Sequence, residues 1–397
     1  MTTQQKNDIL HTLAILLDRH RIDLLKANQA DVNLCKRNDQ ALFDRLVLND
    51  KKIDSMIQSV NTIAVNPDPI NVEKYRFTHD NGMQVVNQTA PFGTILIIYE
   101  SRPDVTIEAA ILAFKAGNKI ILKGGKEARH SNLLLIDLWH QALKQHELST
   151  DWVSYLDLPR AEVQAFLKNP PVPIDLIVPR GGEQLIAFVK AHAQCPVLVS
   201  GRGNNFIFVH AEANTQMADA IIISSKTSKI SACNALDKVL IDEQLPDLGS
   251  YLKNLIGQLE AAKVEIIVDP KINQYLTKKL PEITNDTIWY EEFLAMKIVI
   301  GLVENPQIAI KKINQYSGGH SASIISKNEK TALEFMQNVD VAAVYHNAST
   351  RFTDGGEFGM GAELAISTDK LHQRGPLGLT HLVSNKWFVF GNGQVRT

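Results

Sequence analysis

Between Ile9 and Leu34 the apolar positions Ile9, Leu13, Leu16, Leu17, Leu24 and Leu25 recur at spacings of three and four among charged residues. That period gathers them on one face of a helix, so the N-terminal region is predicted to consist of amphipathic helices. Asn66-Pro67-Asp68-Pro69 cannot continue a helix and marks a linker. Beyond it, Tyr75 to His79 and Met83 to Gln88 flank Asn81-Gly82, a dipeptide suited to the positive φ of a tight hairpin turn. A hairpin there would interrupt an otherwise α/β pattern. Its edges call for cover, either from its own domain or from a second subunit.

From residue 94 the pattern becomes regular. Apolar runs at Thr94 to Tyr99, Lys119 to Lys123, Trp152 to Leu156, Ile174 to Val178 and Pro196 to Val199 alternate with helix-like segments. Runs that are apolar throughout are buried on both faces and read as a parallel sheet with helices on either side. Such sheets bind ligands beyond the carboxyl ends of their strands. After Ser200-Gly201-Arg202-Gly203-Asn204 the rhythm changes: a strand at Phe206 to Val209, a helix from about Asn214 to Thr227, a strand at Lys238 to Ile241, and a second α/β series running to about Thr353. Trp387 to Val395 is strand-like and a natural companion for the hairpin.

Composition narrows the function classes. The chain has 397 residues, 45% hydrophobic and 21% charged, which suits an ordinary globular protein of two or three domains. Lys and Arg number 41 against 43 Asp and Glu, for a formal charge of -2 without long runs of either sign, so nucleic acid is not an expected partner. No apolar stretch approaches the roughly 18 residues of a membrane span, and Met1 to Leu10 is too polar for a signal peptide. A cytoplasmic protein without membrane contact is expected. The three cysteines, Cys35, Cys195 and Cys233, lack paired spacing, which argues against a disulfide framework and against a metal site.

Three regions could carry chemistry. Lys123-Gly124-Gly125-Lys126 and Arg180-Gly181-Gly182 each follow a strand and open a helix, where free backbone N-H groups suit a phosphate; ordinary glycine turns explain either alone, while two on one sheet favour a dinucleotide. Cys233 lies in the small-residue segment Ser231-Ala232-Cys233-Asn234-Ala235, with Lys226 and Lys229 close in sequence to favour a thiolate. It is either a nucleophile or a structural thiol, whereas Cys35 and Cys195 read as structural. The segment from Arg351 to Glu363, with four glycines among charges, followed by His372 and Arg374, suggests a polar loop offering donors to a carboxylate or phosphate.

Taken together, Tyr99-Glu100-Ser101-Arg102-Pro103-Asp104-Val105-Thr106, Gly117-Asn118 with Lys123-Gly124-Gly125, Pro179-Arg180-Gly181-Gly182, Lys226-Thr227 leading to Cys233-Asn234, and Asn347 to Asp354 followed by Glu357-Phe358-Gly359 resemble the gamma-glutamyl phosphate reductases, or glutamate-5-semialdehyde dehydrogenases, of the aldehyde dehydrogenase superfamily. The likeness covers nearly the whole chain. It implies an α/β fold with a Rossmann-type coenzyme domain over 1–74 and 92–203, an α/β catalytic domain over 204–380, and an oligomerisation hairpin and terminal strand at 75–91 and 381–397. It also implies NADPH-dependent reduction of L-glutamyl 5-phosphate to L-glutamate 5-semialdehyde for proline synthesis. In that reaction the Cys233 thiolate displaces phosphate and hydride reduces the resulting thioester.

By the same match, Lys123 and Lys126 should lie near the adenine ribose and its 2′-phosphate and Glu292 near the nicotinamide ribose, with Gly124, Gly125, Arg180, Gly181, Gly182, Gly201 and Gly203 completing the coenzyme set. Arg102, Arg351, Glu357 and Arg374 are the expected substrate ligands. A homo-oligomer, dimer or tetramer, and contact with glutamate 5-kinase are the implied partnerships.

The chain departs from its relatives at several places. Where hydrolytic aldehyde dehydrogenases carry a water-activating Glu, it has Ser200, as suits an enzyme whose thioester must survive until hydride arrives. Lys229-Ile230 stands for a common Arg-Pro pair, Ala322 for an Asp, and the segment after Glu292 is short. Asp104 stands for a frequent Asn and, as an anion, could not stabilise an oxyanion, a task that should fall to the backbone N-H of Cys233 and the amide of Asn234. Two rival readings stand beside this one. A hydrolytic NAD(P)-dependent aldehyde dehydrogenase would need a Glu or Asp near Cys233, and a noncatalytic dinucleotide-binding protein would have no use for the thiol.

Overall fold

A computed structural model describes residues 1–35 and 40–396, which form two compact units. Unit 1 comprises Met1–Val199, Gly359–Ala365 and Leu377–Thr397; unit 2 comprises Ser200–Phe358 and Ile366–Pro376.

In unit 1 the amphipathic pattern becomes the helices Thr3–Arg19 and Arg21–Leu34, followed by Gln40–Leu46 and Asp50–Val65. The hairpin strands are β1 (Glu73–Thr78) and β2 (Gln84–Pro91), closed by a turn in which Gly82 takes φ 84°. The sheet strands are β3 (Thr94–Tyr99), β4 (Lys119–Lys123), β5 (Val153–Tyr155) and β6 (Leu176–Arg180), parallel and in the order β5-β4-β3-β6.

Two strand expectations need correction in unit 1. Pro196 to Val199 contributes only a parallel bridge from Val197 to Ile177, since Pro196 has no N-H to donate to a ladder. The terminal strand is Val383–Phe390, earlier than Trp387 to Val395, because Gly391-Asn392-Gly393 turns the chain and Gly393 sits at φ 84°. It does pair with the hairpin, giving a three-stranded antiparallel sheet in which β2 is central.

The core of unit 1 runs from Ile9 through Ile97 and Phe114 to Leu382, with Trp139 and Trp152 edge-on to Phe114 at 5.5 and 5.8 Å. The helix Arg129–Gln145 has no capping side chain of its own. Instead Asp31, 1% exposed, accepts the N-H of His130 at 3.0 Å and of Ser131 at 2.8 Å, satisfying two of the donors a helix start leaves open.

Unit 2 is a six-stranded parallel sheet. Its strands are β7 (Asn205–Val209), β8 (Leu236–Asp242), β9 (Glu265–Val268), β10 (Lys297–Val303), β11 (Ser321–Ile325) and β12 (Ala343–His346), in the order β12-β11-β7-β8-β10-β9. A two-residue antiparallel pair, β13 (Ile366–Ser367) with β14 (Gly375–Pro376), completes it; the terminal strand of unit 1 is β15. Alternate residues serve opposite faces, as the pleat requires: Ile207, Val209, Val239 and Ile241 pack on one side, and Phe206, Phe208 and Leu240 on the other. Among the described residues no helix is long and apolar enough to cross a membrane, and no cluster of His, Cys, Asp and Glu is suited to a metal.

Candidate active site

In unit 1 the predicted glycine turns lie where the topology rule puts them, at the carboxyl ends of β4 and β6. Lys123 is half-buried, its Nζ donating to the Gly124 carbonyl at 2.8 Å, and burial holds its pKa below the ordinary lysine value. Gly124 backs onto Asn132 and Tyr155, where a Cβ would lie 2.2 Å from Asn132 Nδ2; Gly125 faces the Ser101 amide, with Lys126 exposed beyond it. At the β6 turn, Gly182 precedes the helix Glu183–His192 and has open space around its Cα. The Glu100 carboxylate stands on this turn and accepts the Gly182 N-H over a long bond, 3.4 Å. These residues fit a dinucleotide: two lysines, two glycine turns and a helix start at the carboxyl ends of β4 and β6, the two strands that flank β3 in one parallel sheet.

Arg102 precedes the helix Pro103–Lys115 and pairs with Asp104 at 3.0 Å. Burial pushes Asp104 up, but the Arg102 guanidinium outweighs it and keeps the carboxyl below its usual range, so Asp104 is ionised. Glu108, one turn on, is pushed up to about 7 by burial and by the Asp104 charge.

Unit 2 arranges its residues differently. Gly203, Cys233, Asn234, Glu292 and His320 all lie just before strands, at the amino end of the sheet, where the carboxyl-end rule does not point. Cys233, partly exposed, sits on the turn between the helix Thr215–Thr227 and β8. Three close backbone approaches build its surroundings. A Cβ on Gly203 would lie 2.1 Å from the Cys233 carbonyl oxygen and 2.6 Å from Glu292 Oε1; one on Gly201, 2.4 Å from the Gly318 carbonyl; and one on Gly318, 2.1 Å from the Arg202 carbonyl. Only glycine fits at these positions. The buried Asn205 amide ties the pieces together, its two N-H bonds shared among the carbonyls of Gly203, Cys233 and Ala235, which stand 2.7–2.8 Å from its nitrogen.

Two expectations change here. The Asn234 amide, 4% exposed, donates both N-H bonds, at 3.0 Å each, to the carbonyls of Arg351 and Thr353. A primary amide has two N-H bonds, so this side chain anchors the 350–353 loop and has no donor left for an oxyanion. Lys226 does not face the thiol: it is fully buried and donates to Asp237 and to the Leu236 carbonyl. Arg351, 118 positions away, is a cation that feels Cys233. Burial lowers its pKa while the Cys233 charge opposes that shift, and its Nε donates to Ser228 Oγ at 3.1 Å.

Thr353 itself is held by a chain of hydroxyls. Tyr345 OH and Ser321 Oγ each lie 2.7 Å from Thr353 Oγ1, and His320 Nδ1 lies 2.7 Å from Ser321 Oγ. Glu357 is exposed on a turn capped by Asp354. Arg374 pairs with Asp340, with Nη1 2.6 Å from Oδ1 and Nη2 donating to the carbonyl at 3.0 Å, which braces its loop and leaves its buried Nε unpartnered. The reading of the sequence missed Asn205 and Gly318. A polar residue opening an otherwise apolar strand was the available signal for the first.

Residues 1–274 match the aldehyde dehydrogenase family. The chain belongs to that family. Within it, the chain is 38% identical to the gamma-glutamyl phosphate reductase of Dictyoglomus thermophilum and 39% identical to that of Enterococcus faecalis, in both cases over all of this chain and 95% of the relative. The crystal structure of the Thermotoga maritima gamma-glutamyl phosphate reductase superposes with a TM-score of 0.92 at 38% identity, covering 100% of this chain and 95% of that one. An acetylating aldehyde dehydrogenase from Geobacillus thermoglucosidasius shares the fold, with a TM-score of 0.72 at 17% identity. By these likenesses the chain is a member of the gamma-glutamyl phosphate reductases, the NAD(P)-linked oxidoreductases of proline biosynthesis.

Proposed function

We infer that the chain catalyses the reduction of L-glutamyl 5-phosphate to L-glutamate 5-semialdehyde with NADPH as its preferred coenzyme, through a thioester on Cys233. The observation that carries this is the backbone cage of Gly203 and Asn205, which fixes a partly exposed thiol beside the Arg351 cation. The cation favours the thiolate. Attack of the Cys233 sulfur on the acyl carbon forms the C-S bond, the C-O bond to phosphate breaks, and inorganic phosphate leaves with the electron pair. The coenzyme, when bound, supplies the hydride that reduces the thioester. With the Asn234 amide engaged elsewhere, the Cys233 backbone N-H is the donor for the oxyanion. Lys123, Lys126, the two glycine turns of unit 1, Gly201 and Gly203 are assigned to the coenzyme, Glu292 to its nicotinamide ribose, and Arg102, Arg351, Glu357 and Arg374 to the substrate.

The same reading includes a homo-oligomer, dimer or tetramer, in the cytoplasm, with contact to the glutamate 5-kinase that makes the labile acyl phosphate. Registers Tyr75-Asn87-Trp387 and Phe77-Val85-Val389 place four half-exposed apolar side chains on one face of the β1-β2-β15 sheet, a face suited to cover by a second copy.

The hydrolytic alternative has one observation behind it, the Glu292 carboxylate close to the Cys233 peptide. Phosphate dependence of the reverse reaction decides between the two. Purified protein with semialdehyde and NADP should turn over only when phosphate or arsenate is added, with at most a single-turnover burst of NADPH without it. Sustained turnover to glutamate in phosphate-free buffer would make the protein a hydrolytic dehydrogenase.

A further inference from the structure

β8 opens Leu236-Asp237-Lys238, three residues after Cys233, and carries two charges where an inner strand should be apolar. Asp237 is 2% exposed and Lys238 0%, and Lys226, from the preceding helix, is also at 0%. Burying ions costs several kcal/mol each unless every charge finds close partners, so what these groups hold matters. Lys226 Nζ lies 2.8 Å from Asp237 Oδ1. The other oxygen, Oδ2, accepts the N-H of Phe293 at 2.9 Å, and Lys238 Nζ donates to the Glu291 carbonyl at 2.7 Å while standing 3.8 Å from the centre of the Phe293 ring. The residues on both sides of Glu292 are therefore gripped by this cluster, Phe293 by the Asp237 carboxylate, whose charge makes the bond about twice as strong as a neutral one, and Glu291 by the Lys238 amine, whose pKa burial pulls down to about 7. Leu294, next along, is held in the left-handed region at φ 47°, a strained conformation that persists only where its surroundings impose it.

We propose that Lys226, Asp237 and Lys238 are positioning residues, a buried charged clamp that fixes Glu292 beside Gly203 and the Cys233 peptide and so sets how firmly the nicotinamide end of the coenzyme is held. The proposal rests on the assignment of Glu292 to that end. The clamp springs from the strand that follows the nucleophile, so one element registers both Cys233 and Glu292. A purely structural ion cluster would have no reason to seize the two neighbours of one partly exposed carboxylate.

The test uses the full-length protein with Lys238→Met, which removes the ammonium and keeps the bulk, Asp237→Asn as a second variant should the first fail to fold, and Glu292→Gln. Hydrogen exchange of a peptide spanning 290–296 should speed up at least tenfold in either clamp variant. The NADPH KM should rise five- to twentyfold, with the semialdehyde KM within twofold of wild type. Lys238→Met combined with Glu292→Gln should be no worse than Glu292→Gln alone, because both act through one carboxylate. Unchanged exchange in both clamp variants overturns the proposal, as does faster exchange with an unchanged coenzyme KM or an additive double variant. If Glu292→Gln leaves the coenzyme KM unchanged, the assignment of Glu292 falls and the proposal with it; if Glu292→Gln raises that KM while the clamp variants do not, the proposal alone falls.

Discussion

Gly203→Ala tests the backbone cage most directly. The added methyl carbon would sit 2.1 Å from the Cys233 carbonyl oxygen and 2.7 Å from its carbon, both backbone atoms, and 2.6 Å from Glu292 Oε1. Ordinary contact begins near 3.4 Å, so relief requires the 203 segment and the Cys233 turn to part by roughly 1 Å; rotating Glu292 away does not suffice. The Cys233 carbonyl is also tied to Asn205, so the turn will not move alone. A displacement of about 1 Å at a reacting group costs on the order of a hundredfold in rate. We expect kcat in the phosphate-dependent oxidation, followed at 340 nm, to fall by about that factor, and alkylation of the Cys233 thiol by iodoacetamide to change with it. Gly257→Ala is the control: this glycine lies inside the helix Leu248–Ala261 with nothing within 4 Å of its Cβ position. It should keep full activity and gain about 0.5–1 kcal/mol of stability from helix propensity. A Gly203→Ala enzyme that folds like wild type and keeps more than a third of kcat would refute the cage.

Cys233→Ala should abolish turnover while Cys35→Ala and Cys195→Ala remain active; a tenth of wild-type activity surviving in the first would exclude the covalent route. Replacing Lys123 and Lys126 together by Ala should raise the KM for NADPH by roughly 10- to 150-fold, the equivalent of about 1.5–3 kcal/mol of charge-assisted bonds to a 2′-phosphate, and barely move that for NADH. Equal rises for both coenzymes would remove these lysines from phosphate recognition. His320 is wholly buried, and burial lowers its pKa to about 4 from an ordinary 6.5. The unfolded chain therefore binds the extra proton between those values, so this contribution to stability is complete above about pH 6.5 and lost as pH falls towards 4. It amounts to about 3 kcal/mol. Urea midpoints measured from pH 7 to 4.5 should fall less steeply in His320→Gln than in wild type, and parallel curves would show that His320 does not titrate on unfolding.

Much of unit 1 was legible because its signals are local. Thr94 to Tyr99 and Lys119 to Lys123 are apolar runs ended by turn residues, and the strands have those limits. Asn81-Gly82 carries its own conformational preference, and Gly82 takes the positive φ it implies. Failures came where a local signal met a longer-range cause. Trp387 to Val395 is uniformly strand-like in residue type, yet the ladder ends at Phe390, where β2 runs out of partners at Gln84. Pro196 to Val199 has a strand's composition but begins on a residue without a donor.

The site in unit 2 was harder to read, because the chemistry there depends on which chain segments approach one another. Gly201, Gly203 and Gly318 look like turn glycines in a sequence, but none of the three has the positive φ that a tight turn demands; they are glycine because another backbone lies within about 2.5 Å of where a side chain would begin. Residue type reports that a Cβ is excluded, not whether a dihedral angle or a neighbour excludes it. The same limit misplaced the cation near the thiol: Lys226 is seven residues from Cys233 and turns away to Asp237, while Arg351 comes to it across the sheet because Thr350 Oγ1 and the Asn234 amide lock the two loops together. An amide beside a nucleophile suggests an oxyanion donor, and the two carbonyls that claim its hydrogens lie more than a hundred positions away. Function here follows from that lock. The residues that hold Cys233 in place do so through backbone partners on other segments, Cys233 and Ala235 for Asn205 and Arg351 and Thr353 for Asn234, so substitutions at Asn205 or Asn234 should disturb the thiol without touching it.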